Sequence, residues 1–143
     1  MEDRVTHSLQ QAARAYRVRS ARKLARIGLY PGQDALLKLV QGGPKTMGEA
    51  AAQLSIQPPT VTKMVSRLSA AGLVRTEVMD RDRRKVAVSV TDAARDRLAQ
   101  IEIIWEELER EALAGLEPQS LRDGLAAMAR NLSDSGLDEA GPR

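Results

Sequence analysis

The chain has 143 residues, with 22 Lys/Arg against 19 Asp/Glu, a single His, one Trp, two Tyr, no Phe and no Cys. That length suits one domain, or one compact domain with an extension that needs a partner. Without Cys and with only His7, a disulfide framework, a Cys-based redox sensor and a Cys/His zinc site are excluded within the chain, so neither metal nor cofactor is expected.

Hydrophobic residues make up 43% of the chain, and Leu, Val, Ile and Ala must supply the core, which favours helices. The polar start MEDRVTHS, and the lack of an apolar run near the roughly 20 residues of a membrane span, predict a cytoplasmic protein with no secretory signal or anchor. The net charge of +3 is unevenly spread. Residues 1–30 carry seven basic and two acidic groups, residues 31–95 ten and six, and residues 96–143 five and eleven. A basic front and an acidic back suit a polyanion partner for the front part; a solvated surface of uneven charge is the other reading.

In chain order, residues 4–27 place Val5, Leu9, Ala12, Tyr16, Leu24 and Ile27 at helical spacing, with Arg14, Arg17, Arg19, Arg22 and Lys23 among them, a long basic amphipathic helix. Gly28 breaks it, and Pro31, at a first-turn position, is expected to open a short helix through Leu36, Leu37, Leu39 and Val40. Thr46-Met47-Gly48-Glu49 reads as a capping box opening a two-turn helix that ends near Leu54. Ser55-Ile56-Gln57 leaves room only for a turn, and Pro58 or Pro59 begins a helix that stops at Gly72. From Leu73 the period becomes two: Val74, Thr76 and Val78 share one face, then Val86, Val88 and Val90, giving a β-hairpin with a charged tip. Thr91 is expected to cap a long helix with Leu98, Ile101, Trp105, Leu108 and Ala112 along a seam. A last helix carries Leu121, Leu125, Met128 and Leu132, and residues 134–143 read as a flexible tail.

The fold class is therefore mainly α with a small β-hairpin. On the helix after Pro58, Val61, Met64, Val65 and Leu68 fall on one face; Pro59, Thr62, Lys63, Ser66 and Arg67 fall on the other, with Thr60 at its margin. The outer face has no acidic residue to repel phosphate, and short hydroxyls with Lys/Arg can donate to phosphates and base edges in a major groove. Taken alone, the same helix is an ordinary amphipathic surface helix. The hairpin tip carries Arg81, Arg83, Arg84 and Lys85 against Asp80 and Asp82. Four cations there would reach the next groove, and Asp82 could hold and aim the Arg84 guanidinium; a solvated turn with exposed ion pairs is the alternative.

The order GL-x-P-x-Q-x-x-LL (Gly28 to Leu37), TMGEAAAQLSIQPPTVTKMVSRLSAAGLV, a charged wing with D-x-R, then VAVSVTDAA, resembles the MarR family of winged helix-turn-helix transcription regulators across about residues 5–132. The resemblance implies a single domain over 1–143. Its winged helix-turn-helix covers 31–91, and residues 4–27 and 92–133 supply dimerisation helices. It further implies a homodimer in which each protomer reads half of a near-palindromic double-stranded operator. Carried onto this chain, Thr60, Thr62, Lys63, Ser66 and Arg67 would face the major groove, and Arg84, braced by Asp82, the minor groove. A peroxide-sensing branch of the family uses a Cys that this chain lacks. The remaining mode is release of repression by a small, often aromatic and anionic, ligand. Tyr16, Arg17, Tyr30 and Trp105 stand on suitable elements for that ligand, and core packing or surface charge is the other reading of each.

A dimer also follows from area: three amphipathic terminal helices exceed what a winged domain of about 65 residues can cover. The basic first helix and Glu102, Glu106, Glu107, Glu109 and Glu111 of the fifth could lie together, or Arg17, Arg19 or Lys23 could keep charge for an effector. An enzyme finds no nucleophile-base set or phosphate-cradling glycine motif here. The alternative to a DNA-binding regulator is a helical interaction module whose basic face binds an acidic protein.

Overall fold

The computed structural model describes residues 3–79 and 85–134. Among these, the order is α1 (Val5–Ala25), α2 (Gln33–Gln41), β1 (Lys45–Thr46), α3 (Met47–Leu54), α4 (Pro58–Ala70), β2 (Val74–Val78), β3 (Val86–Val90), a 3-10 turn (Asp92–Ala94), α5 (Arg95–Ala112) and α6 (Pro118–Asp134). Two compact units divide the chain, one through Leu108 and one from Glu109. The first is a winged helix-turn-helix with α1 and most of α5. No helix of the described residues is long and apolar enough to cross a membrane.

The core of the first unit follows the periodicities. Leu24, Leu36, Leu37, Val61, Leu68, Val88 and Ile101 are fully buried in one cluster that also takes in Val65, Ile104 and Leu108. α1 contributes only its C-terminal part, where Ser20, Lys23 and Leu24 are buried, while Val5 and Val18 remain exposed. Burying a leucine of this kind contributes about 1.5–3 kcal/mol.

The helix-turn-helix is set by local chemistry. At the start of α3 the Glu49 N–H donates to Thr46 Oγ1 (3.1 Å) and the Thr46 N–H donates to Glu49 Oε1 (3.3 Å), the reciprocal pair expected of a capping box. Hydrogen bonding to Thr46, its backbone N–H foremost and its side chain next, holds the Glu49 carboxyl below its ordinary value. Ser55 then takes a left-handed conformation (φ 54°, ψ 45°) that ends α3 and turns the chain towards Pro58. α4 stops where Gly72, at φ 76°, lets the Leu73 N–H donate back to Leu68 O (2.9 Å).

The sheet has three antiparallel strands in the order β1-β3-β2, with Lys45 opposite Val88 and Thr76 opposite the same Val88. β1 adds a strand to the expected hairpin; at two residues it is too short to show a period. Val74, Thr76 and Val78 alternate along β2 as expected, opposite Val90, Val88 and Val86; of the three only Val74 is buried, and Val78 is exposed. Two expectations need correction. First, Pro31 does not begin α2: Tyr30 to Gln33 form a turn closed by Gln33 N–H donating to Tyr30 O (3.1 Å), and the helix opens at Gln33. With Pro at its second position and Gly32 at φ 96°, ψ −32° at its third, this is a type II turn, where the fixed φ of proline serves as well as in a helix. Second, Thr91 precedes the 3-10 turn but its side chain caps nothing there. Its hydroxyl donates to Gly72 O (2.6 Å), and its N–H to Leu73 O (3.1 Å), pinning the end of β3 to the turn after α4.

In the second unit, α6 begins at Pro118, ahead of which the Glu117 carboxylate accepts the N–H groups of Gln119 (2.9 Å) and Ser120 (2.7 Å). Bonds from Ser120, its side chain first, hold the Glu117 carboxyl below its ordinary value. Leu121, Leu125 and Leu132 on this helix are exposed.

Candidate nucleic-acid interface

α4 is seated by Val61, Val65 and Leu68, each at most 2% exposed, with Met64 half-buried beside them. That leaves Pro58, Pro59, Thr60, Thr62, Lys63, Ser66 and Arg67 all exposed, so the five residues named for a major groove share one solvent-facing side of a rigid helix. They do not offer identical chemistry. The Thr62 hydroxyl donates to Pro58 O (3.1 Å) and presents only acceptor capacity outward. Lys63 and Ser66 point to solvent, whereas the Arg67 guanidinium carbon lies 5.7 Å from the centre of the Tyr30 ring. Among the described residues no carboxylate pairs with Lys63 or Arg67, so both charges stay available to an anion.

β2 and β3 carry the wing. The Met79 N–H donates to Lys85 O (2.9 Å), and Lys85 is exposed. Arg81, Asp82, Arg83 and Arg84 lie outside the described residues. The wing and α4 belong to the same unit, joined by the short turn at Gly72.

None of the four residues considered for a small ligand lines the groove between the end of α1 and α5. Tyr16 and Arg17 are exposed on α1. Tyr30 is 63% exposed and stacked with Arg67. Trp105 is half-buried; its indole N–H donates to Asp34 Oδ2 (2.9 Å) and the Lys38 ammonium sits 5.8 Å from its ring centre. That groove, of about 190 Å³, is lined instead by Lys23, Arg26, Ile27, Gln100, Ile103, Ile104 and Glu107. In it Lys23 Nζ donates to Glu107 Oε2 at 2.8 Å, with the lysine side chain only 10% exposed. The basic first helix therefore meets the acidic fifth helix here, and Lys38 meets Glu102 (2.9 Å) nearby.

Residue-by-residue reading also missed a bracket at the start of α2. Asp34 Oδ1 accepts the Gly32 N–H (3.0 Å) while Oδ2 accepts the Trp105 indole, and Gln33 Oε1 accepts the Tyr30 N–H (2.8 Å). Gln33 and Asp34 are both buried, and every buried side-chain polar atom of the described residues has a partner. The adjacent Pro31-Gly32 pair was the available signal, since it marks a turn whose backbone groups need partners.

A model of the MarR family matches residues 34–85, from α2 into the wing. The uncharacterized HTH-type transcriptional regulator YwoH of Bacillus subtilis is 30% identical over 109 residues, 76% of this chain and 79% of the relative. Bordetella bronchiseptica BpsR, solved in work on regulation of its DNA binding by 6-hydroxynicotinic acid, superposes with a TM-score of 0.81 at 23% identity, over 94% of this chain and 96% of that one. MepR of S. aureus, solved as a complex with DNA, superposes with a TM-score of 0.79 at 18% identity, over 92% and 98%. At these identities the two superpositions establish the shared fold.

Proposed function

The chain belongs to the MarR family of transcriptional regulators, and from that premise we propose that it is a homodimeric, sequence-specific repressor released from its operator by a small anionic ligand. The observation that carries the DNA-reading part is the outer side of α4. Five hydroxyl or basic residues stand exposed on a helix whose opposite side is locked into the core. Thr60, Thr62, Lys63, Ser66 and Arg67 enter a major groove, where Arg67 can take guanine bidentately and Lys63 a phosphate. Residues 81–85 follow into the flanking minor groove, Arg84 as the inserted cation with Asp82 beside it, and Arg81, Arg83 and Lys85 on phosphates. Exposed apolar residues on α1 and α6, among them Val5, Val18, Leu121, Leu125 and Leu132, support a second protomer as the partner of the helices over 4–27 and 92–133. Two protomers give two reading helices, which fits a near-palindromic site.

The effector reading is supported by the fold shared with BpsR, whose DNA binding 6-hydroxynicotinic acid regulates. On this chain, the groove between α1 and α5 supplies cations, Lys23 and Arg26, beside the apolar walls of Ile27, Ile103 and Ile104. A carboxylate entering there competes with Glu107 for Lys23.

The test is operator selection from random duplexes, followed by affinity measured across salt. Contacts to six to ten phosphates predict a fall of roughly 10³ to 10⁵ between 50 and 200 mM salt. Affinity that hardly changes with salt, or selection of no sequence, refutes the reading and leaves the protein-interaction module standing.

A further inference from the structure

Tyr30 belongs to the loop before α2, yet it is the described residue whose ring lies under the Arg67 guanidinium, 5.7 Å from it. A free arginine on a groove-facing helix samples many rotamers, and each must be given up when a base is grasped. Stacking on a ring removes most of them beforehand and keeps the planar fork presented in one direction. The ring can do this only if it does not itself move.

It is held firmly. The Tyr30 N–H donates to Gln33 Oε1 (2.8 Å) and its carbonyl accepts the Gln33 N–H (3.1 Å), so the turn is closed from both sides. Pro31 fixes one φ of that turn, and a Cβ at Gly32 would lie 3.1 Å from Met64 Sδ on α4, so the turn sits tight against the reading helix. Asp34 then ties the Gly32 N–H to the Trp105 indole of α5. Yet Tyr30 is 63% exposed, more than core packing requires of an aromatic ring.

Resting on the reading of Arg67 as a base contact, we infer that Tyr30 is a specificity-positioning residue. It is a stacking platform, anchored through Gln33 and Asp34, that holds the Arg67 guanidinium in the orientation that reads one base pair. Tyr30 touches no base in this role; it acts through Arg67.

The test uses the full-length protein, the operator it selects, and a panel of duplexes carrying each single base-pair change. Arg67→Ala is expected to flatten the preference at one base-pair position. Tyr30→Ala is expected to lower discrimination at that same position by about two- to fivefold, the worth of an exposed cation-π contact. Affinity for an unrelated duplex should be unchanged. Tyr30→Phe, which keeps the ring, is expected to behave as the parent, and Tyr30→Ala adds nothing in an Arg67→Ala background. If Arg67→Ala flattens a position and Tyr30→Ala leaves it intact, the positioning role is overturned while the DNA reading stands. If Tyr30→Phe weakens binding equally on all duplexes, the hydroxyl is a phosphate contact and the role is likewise overturned. If Arg67→Ala changes no position, the base contact and the platform built on it fall together.

Discussion

Replacing Asp34 by Asn preserves the shape of the side chain and removes one acceptor. The carboxylate serves two donors, the Gly32 N–H at 3.0 Å and the Trp105 indole N–H at 2.9 Å, in a position only 9% exposed. An amide has a single oxygen, so one donor must face an NH₂ group. Hydrogen bonds to charged groups are worth about 1.5–3 kcal/mol, and Asp34→Asn should destabilise the fold by about that much. Trp105→Phe removes the indole donor and keeps a ring beneath Lys38, which sits 5.8 Å from its centre. If the indole-carboxylate bond is what couples the two sites, the double variant should cost less than the sum of the singles by about 1.5–3 kcal/mol. Urea unfolding reads this directly, at one protomer concentration throughout, since association shifts apparent stability. A coupling below about 0.5 kcal/mol, the level of independent sites, would refute the bracket as a linkage between α2 and α5.

Thr91→Val keeps the shape of the side chain but loses the hydroxyl donor to Gly72 O (2.6 Å), and should lower the urea midpoint by an amount equivalent to about 1 kcal/mol with an unchanged slope; an unchanged midpoint means that water serves that carbonyl equally well. Glu49 and Glu117 have carboxyls held below the ordinary value of 4.5, so the stability they contribute is complete above that pH and is lost as the pH falls through their lower folded values. Melting temperature should therefore drop on the acid side, and a Glu49→Gln, Glu117→Gln double variant should show a shallower acid limb. An acid limb identical to that of the parent would count against both caps as its source.

What could be read in advance is what covalent spacing dictates. Thr46 and Glu49 are three residues apart, so their capping box follows from the helix geometry itself, and the bare outer side of α4 follows from its period. Long-range pairing carries no such period. Lys23 and Glu107 are 84 positions apart and Asp34 and Trp105 are 71, and nothing local in either stretch announces its partner. Pro31 misled for a physical reason: one fixed φ fits both the first turn of a helix and the second position of a turn, and only Gly32 after it decides. The alternation of Val74, Thr76 and Val78 reported the strand, but it carries no information on which of the three is covered. The stacking of Tyr30 beneath Arg67 required knowing where the α2 turn lies against α4.

The sheet order β1-β3-β2 leaves two edges, and each is poorly suited to recruiting another strand. β1 is two residues long, too short to template a neighbour. β2 carries Arg75 and Glu77, their side chains exposed and 4.0 Å apart, so a second strand laid along this edge would have to accommodate both charges. At high concentration, copies of this chain are thereby discouraged from pairing edge to edge into aggregates. The same protection limits competition for the hairpin from other hairpins.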